Sequence, residues 1–248
     1  MKILYFTATG NSLYVAKRLG GECYSIPKLI KECQFEFEDE KIGIIFPTYN
    51  LGVPKIVEEF LNKASLKSKY IFGIATFGAF SGAVSTHLFE IGKRNGIEFS
   101  YINEIIMVDN NLAAFDIRKQ LEKEADKKIE ENLAKIIKDV EKGTEYIKKH
   151  TIIMNGMRLM SGKLYNNEFD KNFSVDNNCN GCKTCEKVCP VDNIKVENNK
   201  PVFNNNCQQC LACIHNCPKK AIGIKKEKSK ARFINQNITL KEIIDSNK

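Results

Sequence analysis

Cysteine is the residue type with the clearest chemistry in this chain of 248 residues. Eight of its ten cysteines fall between Cys179 and Cys217, and the other two, Cys23 and Cys33, lie far upstream. Ten cysteines are too sparse overall for a secreted disulfide scaffold, and clustering of this kind in a cytosolic chain indicates metal or redox chemistry. Cys23 and Cys33 are expected to be inert, buried thiols.

The eight clustered cysteines form an internal repeat. Each half has the spacing C-x-x-C-x-x-C-x-x-x-C-P, and an offset of 28 residues carries Cys179 onto Cys207 and Ile194 onto Ile222. Four thiolates also suit zinc, but structural zinc sites usually separate two C-x-x-C pairs by a longer loop. Iron–sulfur clusters are therefore favoured, with zinc as the alternative. His215, inside the second half, is expected to be an exposed loop residue because the cysteines already fill the ligand positions.

The repeat closely resembles the bacterial two-cluster ferredoxins over about 50 residues. In that family the fourth cysteine of each run ligates the other cluster. The resemblance therefore implies one [4Fe–4S] cluster on Cys179, Cys182, Cys185 and Cys217, and a second on Cys207, Cys210, Cys213 and Cys189.

A second candidate site follows the first predicted strand, at residues 2–6. This strand leads into Thr7-Ala8-Thr9-Gly10-Asn11-Ser12, which opens a helix. Hydroxyls at alternate positions, a glycine that permits close approach and a helix N-terminus together form an anion cradle. The loop has no lysine, which favours a single phosphate monoester over a triphosphate. An ordinary helix N-cap at Thr9 or Asn11 is the alternative.

The motif Thr-x-Thr-Gly-Asn-Ser resembles the FMN phosphate loop of flavodoxins. The resemblance implies that Thr7, Thr9, Gly10, Asn11 and Ser12 bind the phosphate of FMN. It also implies that loops at the carboxyl ends of later strands contact the flavin ring. These contacts are Pro47, Thr48, Tyr49, Asn50 and Gly52 after the third strand, Thr76, Phe77, Gly78, Phe80, Ser81 and Gly82 after the fourth, and Asn110 after the fifth. For Tyr49, Phe77 and Phe80, packing in the core is an equally open alternative.

Alternating strand and helix patterns position these loops. Apolar runs at residues 2–6, 22–26, 41–46, 70–76 and 99–108 alternate with predicted helices at 12–19, 28–33, 54–64 and 82–95. The alternation predicts an α/β fold with a doubly wound, five-stranded parallel sheet, and the flavodoxin-like strand order is 2-1-3-4-5. A helix with one apolar stripe is predicted over 116–142, and a second helical stretch over 145–165.

Two domains are predicted. Residues 1–165 form a flavodoxin-like FMN-binding domain with a helical extension at 116–165. Residues 166–248 form a small α+β ferredoxin-like domain with its core at 174–224, a polar connector at 166–178 and a basic surface tail. The whole chain resembles the flavodoxin–ferredoxin fusion proteins of anaerobic bacteria and archaea.

Charge and hydropathy exclude several classes of protein. The net charge is +8, but two clusters with their thiolates would contribute about −4 and a flavin phosphate about −2. Because no stripe of basic and aromatic residues is present, nucleic acid is not expected as a partner. No apolar run approaches the roughly 18 residues that a membrane span needs, and the N-terminus turns polar too early for a signal peptide. A cytoplasmic location is expected.

Together the two modules predict an electron-transfer protein. Two [4Fe–4S] clusters and a bound FMN would pass electrons to or from redox partner proteins of low potential. One alternative is an FMN-dependent reductase of a quinone or nitro compound, and another is a redox-sensing or assembly module with structural clusters. The sequence shows no acid–base pair, and it leaves open whether the chain is an enzyme and whether it forms a homodimer.

Overall fold

Strands and helices alternate through the N-terminal part of the protein. The computed structural model describes residues 1–163 and 165–248. In them the strands are β1 (Lys2–Tyr5), β2 (Glu22–Ser25), β3 (Glu36–Glu38), β4 (Lys41–Pro47), β5 (Ser65–Lys67), β6 (Tyr70–Phe77), β7 (Phe99–Ile106), β8 (Tyr146–Ile147), β9 (Phe173–Val175), β10 (Ile194–Glu197), β11 (Lys200–Phe203) and β12 (Ile222–Ile224). The helices are α1 (Asn11–Leu19), α2 (Ile26–Lys31), α3 (Lys55–Leu61), α4 (Val84–Arg94), α5 (Ile117–Glu122), α6 (Ile129–Lys142), α7 (Ile152–Lys163), α8 (Thr184–Lys187), α9 (Ala212–His215) and α10 (Leu240–Asp245). None of these helices has the length and apolar character needed to cross a membrane.

The largest sheet is parallel and has the order β2-β1-β4-β6-β7-β8. Numbered within this sheet, its first five strands follow the order 2-1-3-4-5, so the predicted flavodoxin-like α/β class is confirmed. The central strands β4 and β6 are almost wholly buried, as expected where helices cover both faces of a parallel sheet. β8 is an additional sixth strand, formed where the sequence predicts helix, because Tyr146 and Ile147 pair with Tyr101 and Ile102 of β7.

The helices α1 to α4 begin and end within three residues of their predicted limits. The helix predicted over 116–142 is wrong in part, because α5 and α6 are separated by a 3₁₀ turn (Ala125–Lys127) and by Lys128, whose φ is 47°. At this break the Lys127 ammonium turns inward and donates to the carbonyl oxygens of Met107 at 2.8 Å and Gly78 at 3.2 Å. The interruption thereby ties the helical segment to the loops that follow β6 and β7.

The cysteine segment folds as two copies of one small unit. α8 and α9 begin 28 residues apart, and so do β10 and β12. β10 pairs antiparallel with β11, and β12 pairs antiparallel with β9. Lys183 and Leu211, which precede the two helices, share a left-handed backbone with φ of 62° and 58°. The sequence repeat is therefore a structural repeat, and the predicted ferredoxin-like α+β fold is confirmed.

The connector predicted at residues 166–178 has structure of its own. It contains a 3₁₀ helix (Asn167–Asn172) and β9. Asp170 is buried and accepts a hydrogen bond at 2.7 Å from the Asn193 side chain, which lies just before β10. The segment is thus an integral part of the ferredoxin-like domain.

The C-terminal segment, residues 229–248, returns to the α/β domain. Ile238 and Ile243 are buried in the same hydrophobic core as the parallel sheet. The Ser246 hydroxyl lies 2.8 Å from that of Tyr5 at the end of β1. The exposed basic tail is therefore confined to residues around 225–230. Phe233 still packs in the hydrophobic cluster that contains Ile214 and Ile222 of the ferredoxin-like domain, whereas Ile238 and the residues of α10 pack on the α/β domain.

Candidate functional site

A cavity of about 550 Å³ lies at the carboxyl ends of β1, β4, β6 and β7. Ligands of open parallel sheets bind at this edge, beside the point where the strand order reverses. The volume is within the range of about 300–1,000 Å³ that small-molecule sites occupy. The position and size of this cavity therefore suit a ligand of the size of a mononucleotide.

The loop between β1 and α1 forms one wall of the cavity. Thr7, Thr9, Asn11 and Ser12 line it, and Gly10 precedes the helix with a φ of 97°. The first N–H groups of α1 have no carbonyl partner within the helix, and the positive end of the helix dipole lies at the same place. No Lys or Arg side chain from residues 1–163 or 165–248 lines the cavity. An anion in this loop would therefore be bound by N–H groups, hydroxyls and the helix dipole.

The back of the same loop is held by residues that follow the cysteines. The side chain of Asn216 donates to the Ala8 carbonyl at 3.1 Å, and the backbone N–H of Asn235 donates to the Thr9 carbonyl at 2.8 Å. A Cβ added at Gly10 would lie 3.0 Å from Cβ of Asn235. Gly10 is therefore required by its positive φ and by the approach of the C-terminal segment. From the sequence, the glycine at this position is explained only by the close approach of a bound anion to the backbone.

Side-chain hydrogen bonds tie the loop to the neighbouring strands. The Thr9 hydroxyl accepts from the Asn110 side chain at 2.9 Å, and the Ser12 hydroxyl lies 2.9 Å from that of Thr76. The Asn11 side chain donates to the carbonyl of Val108 at 3.0 Å. These bonds fix the hydroxyls in place, so that the cradle is rigid before any ligand arrives.

The loops after β4 and β6 pack directly on one another. Tyr49 and Gly52 exchange two backbone hydrogen bonds of 3.1 and 2.9 Å across a tight turn. Gly82, with a φ of 62°, lies so close to this turn that a Cβ there would be 2.5 Å from the backbone of Leu51. At Gly78 a Cβ would be 2.2 Å from the Asp109 carboxylate, which accepts from the N–H of Ala79 at 2.9 Å. Gly82 therefore lets the loops after β4 and β6 meet, and Gly78 lets the loop after β6 meet the loop after β7.

Two buried hydroxyls in these loops have no hydrogen-bond partner among the described residues. They are the hydroxyls of Thr48 and Tyr49, and both residues line the cavity. Burial raises the pKa of Tyr49 well above its ordinary value, and the neighbouring Cys210 and Cys207 act in the same direction. Buried polar groups normally have a partner. The Tyr49 hydroxyl lies toward Cys207 and Cys210, whereas a polar ligand in the cavity would supply a partner for the Thr48 hydroxyl.

Most of the residues expected at the flavin ring line the cavity. They are Pro47, Thr48, Tyr49, Asn50, Thr76, Phe77, Gly78, Phe80 and Asn110. Gly52, Ser81 and Gly82 lie outside the lining, since the two glycines are used in the packing of one loop on the other. Phe80 is 49% exposed at the edge of the cavity, whereas the Tyr49 ring packs edge-on against Phe6.

The sequence did not predict one whole side of the cavity. Phe115 precedes α5, Ser161 is in α7 and Phe169 is in the connector, while Gln209 and Leu211 belong to the second cysteine run. No local pattern marks these residues, because they reach the cavity only through the packing of the later segments on the sheet. They place the second cysteine run beside the predicted flavin loops.

The eight clustered cysteines surround two separate small cavities. Cys179, Cys182, Cys185 and Cys217 line the first, and Cys189, Cys207, Cys210 and Cys213 line the second. We call these sets the outer group and the inner group. In each set one cysteine comes from the other half of the repeat. No three His, Cys, Asp or Glu side chains of the described residues converge closely enough to hold a single metal ion.

The donor chemistry of both groups suits a polynuclear metal centre. Backbone N–H groups of Asn193 and Ala221 donate to the sulfurs of Cys189 and Cys217, each at 3.3 Å, in equivalent positions of the repeat. Burial raises the pKa of the Cys207 thiol to about 12. Thiolates this deeply buried need compensating positive charge, which iron supplies in a cluster.

The two groups differ in their surroundings. Cys182 of the outer group is exposed, whereas all four cysteines of the inner group are buried. The inner group lies close to the large cavity, because Gln209 and Leu211 lie between its cysteines and line that cavity. On the connector side, the Tyr165 hydroxyl donates to the carbonyl of Cys207 at 2.9 Å.

The structure corrects three expectations about single residues. His215 is only 2% exposed, and it is not a loop residue at the surface. Its Nε2 donates to the carbonyl of Asn110 at 2.7 Å and its Nδ1 accepts from the N–H of Phe233 at 3.0 Å, so it links α9 to both the loop after β7 and the C-terminal segment. Cys23 and Cys33 were expected to be buried but are exposed, since β2 is an edge strand and Cys33 follows the end of α2.

Comparison with known protein families gives one match, to a 4Fe-4S dicluster domain over residues 178–222. The match contains all eight cysteines of the two groups. It supports iron–sulfur clusters, electron transfer and redox partners for this part of the chain. No curated protein matches the chain.

Proposed function

We propose that this protein carries two [4Fe–4S] clusters and one FMN and passes electrons between them and redox partner proteins. The observation that carries the proposal is the shared wall of the large cavity. Its lining combines the loop from Thr7 to Ser12 with Gln209 and Leu211, which lie between cysteines of the inner group. A flavin in this cavity would therefore lie beside the inner cluster, without a separate domain movement.

In this proposal the outer group holds one cluster and the inner group holds the other. Support comes from the two small cavities, each lined by one full set of four cysteines. The N–H groups directed at Cys189 and Cys217 would stabilise the thiolates further. Cys189 and Cys217 are each supplied by the other half of the repeat, so that both clusters require the whole segment to fold.

FMN is the proposed occupant of the large cavity. Its phosphate would be bound by the hydroxyls and N–H groups of the loop from Thr7 to Ser12, where a dianion is favoured by the helix dipole. The unpartnered hydroxyl of Thr48 offers a hydrogen bond to the ligand, and Tyr49, Phe77 and Phe80 provide apolar surface for its ring. When bound, FMN accepts or gives one or two electrons, whereas each cluster exchanges one.

The chain's own residues would hold and shield these groups. Tyr49 and Leu211 lie in the cavity wall on the side of the inner cysteines, where they would keep water from the inner cluster. Asn216, His215 and Asn235 fix the position of the phosphate loop relative to the inner group. Because a carrier of electrons needs constant distances between its centres, this rigid attachment suits the proposed role.

A second candidate function is an FMN-dependent reductase of a small quinone or nitro compound. The observation that favours it is the Phe80 ring, which is 49% exposed at the edge of the cavity. An exposed aromatic ring at that place could stack against a planar substrate. Steady turnover of such a compound would favour this function over electron transfer between proteins.

The proposal is tested by analysis of the protein purified without oxygen. We expect about eight irons and eight inorganic sulfides for every FMN. Stepwise reduction, followed by visible and EPR spectroscopy, should show two cluster signals and one flavin. Zinc in place of iron, or a flavin with a diphosphate, would contradict the proposal. Turnover with quinones and nitro compounds, compared with reduction of a protein acceptor, separates the two candidate functions.

A further inference from the structure

The outer cysteine group is the one that reaches the protein surface. Cys182 is exposed and Cys179 and Cys217 are half-buried, while all four cysteines of the inner group are buried. Electron transfer between proteins slows steeply with distance. A partner protein would therefore exchange electrons with this chain at the surface around Cys182.

Lysine side chains surround this surface. Lys183 and Lys219 line the cavity of the outer group, and Lys187 and Lys220 follow closely in the sequence. All four are exposed, and we call them the lysine rim. Four positive charges against about −2 for a cluster with four thiolates leave the rim at about +2.

The four carboxylates of residues 174–224, the segment that holds the cysteines, do not neutralise the rim. Glu186 lies 3.9 Å from Lys195 and also accepts from the N–H of Val196, and Asp192 pairs with Lys31 of the α/β domain. The remaining acidic residues of the segment, Asp176 and Glu197, are exposed. Two exposed carboxylates in a segment that also presents the four lysines of the rim leave an excess of positive charge.

We propose that the lysine rim docks an acidic one-electron carrier protein, whose carboxylates surround its own redox centre. The inference rests on the proposed function. In the exchange one electron moves between the carrier and the cluster of the outer group, so that one is oxidised as the other is reduced and no bond changes. Charge complementarity of this kind raises the association rate and orients the partner.

The test measures binding of an acidic two-[4Fe–4S] ferredoxin, used as the probe, to the anaerobically isolated holoprotein. The rim variant is Lys183→Glu with Lys219→Glu. The control variant is Lys69→Glu with Lys93→Glu, which makes the same change in net charge at exposed positions near the amino-terminal edge of the sheet. Calorimetry gives the Kd at low and at high ionic strength, since the Debye length falls from about 30 Å at 0.01 M to about 3 Å at 1 M.

We expect the Kd of the rim variant to rise at least about tenfold at low ionic strength, or about 1.4 kcal/mol. The control variant should bind like the parent, and the difference should disappear at high ionic strength. Equal weakening in both variants would overturn the proposal, because net charge alone would then explain binding. Tighter binding of a basic carrier or of duplex DNA, or no binding of the acidic ferredoxin by the parent, would also overturn it.

Iron, sulfide and FMN are measured on the same samples. If all cofactors are present and the rim variant binds as the parent does, only the proposed docking surface is rejected. If iron or FMN is missing from the parent, the proposed function is rejected. A second rim variant, Lys187→Glu with Lys220→Glu, changes lysines outside the lining of the outer cavity. It tests the same surface if the first variant loses iron.

Discussion

The outer and inner cysteine groups arise from two halves of one repeat, yet they occupy opposite environments. Both halves share the cysteine spacing, the short helix and the left-handed residue before it. They differ at the positions between the cysteines. Glu186 and Lys187 of α8 correspond to Ile214 and His215 of α9.

These differences in sequence between α8 and α9 account for the different surroundings of the two cysteine groups. Ile214 is fully buried, and His215 is bonded to the loop after β7. Asn216, which stands where the first half has Val188, is bonded to the loop from Thr7 to Ser12. In the first half the corresponding helix presents Lys187 to solvent. Both halves contact the α/β domain, the first through Val188 and the Asp192–Lys31 pair, but only the second half is bonded to the loops that line the large cavity.

Removal of a single cysteine should have the largest effect, because it should abolish one of the two clusters and leave the other. Cys189→Ala is expected to destroy the cluster of the inner group and to leave that of the outer group largely intact, because Cys189 lines the inner cavity. Cys217→Ala should do the reverse. Iron content and EPR of the reduced proteins give the result. If Cys189→Ala removes the outer cluster instead, the assignment of ligands is wrong.

Thr9→Asp should abolish much of the flavin affinity without affecting either cluster. Thr9 is 2% exposed beside the N-terminus of α1, so its replacement would place a carboxylate against the phosphate dianion. Repulsion and lost hydrogen bonds should lower FMN affinity at least tenfold, since about 1.4 kcal/mol is a factor of ten. FMN content after gel filtration measures the effect, and Thr9→Ser is the matched control. Equal FMN in Thr9→Asp and the parent would place the phosphate elsewhere.

Asn216→Ala tests whether the second half of the repeat supports the loop from Thr7 to Ser12. The Ala8 carbonyl would lose its hydrogen bond, and a buried polar group without a partner costs about 1–3 kcal/mol. We expect FMN affinity to fall by several-fold while both clusters remain. The exposed Asn178, which lies before the first run, provides the control variant Asn178→Ala. An unchanged FMN titration in Asn216→Ala would mean that the two regions act independently.

Lys183→Leu is expected to have the smallest effect on stability. It replaces Lys183 in the first half by leucine, the residue at the equivalent position, Leu211, of the second half. Lys183 is exposed, and surface substitutions usually change the free energy of unfolding by less than about 0.5 kcal/mol. Anaerobic urea unfolding of the holoprotein should therefore match that of the parent. Loss of the outer cluster in this variant would show that the two halves are not interchangeable at this position.

Much of the fold was predictable because the patterns that indicate strands and helices lie within short stretches of the sequence. The apolar runs of β4 and β6 are long and bounded by turns, which is typical of buried parallel strands. The helix patterns of α1 and α4 have the period expected for one buried face. The break at Lys128 and the short strand β8 were not predictable. Both depend on contacts with distant partners, Met107 and the pair Tyr101 and Ile102.

The sequence by itself determined the chemistry of the sites. The spacing of the cysteines predicts iron–sulfur ligands, and the loop from Thr7 to Ser12 predicts an anion cradle, because both signals lie in short stretches of chain. Only the tertiary structure decided which cysteine group lies beside the cavity, and that Asn216 and Asn235 hold the loop from Thr7 to Ser12 from behind. These contacts join residues more than 200 positions apart. Such contacts follow from the packing of the whole chain, and no local pattern of residues encodes them.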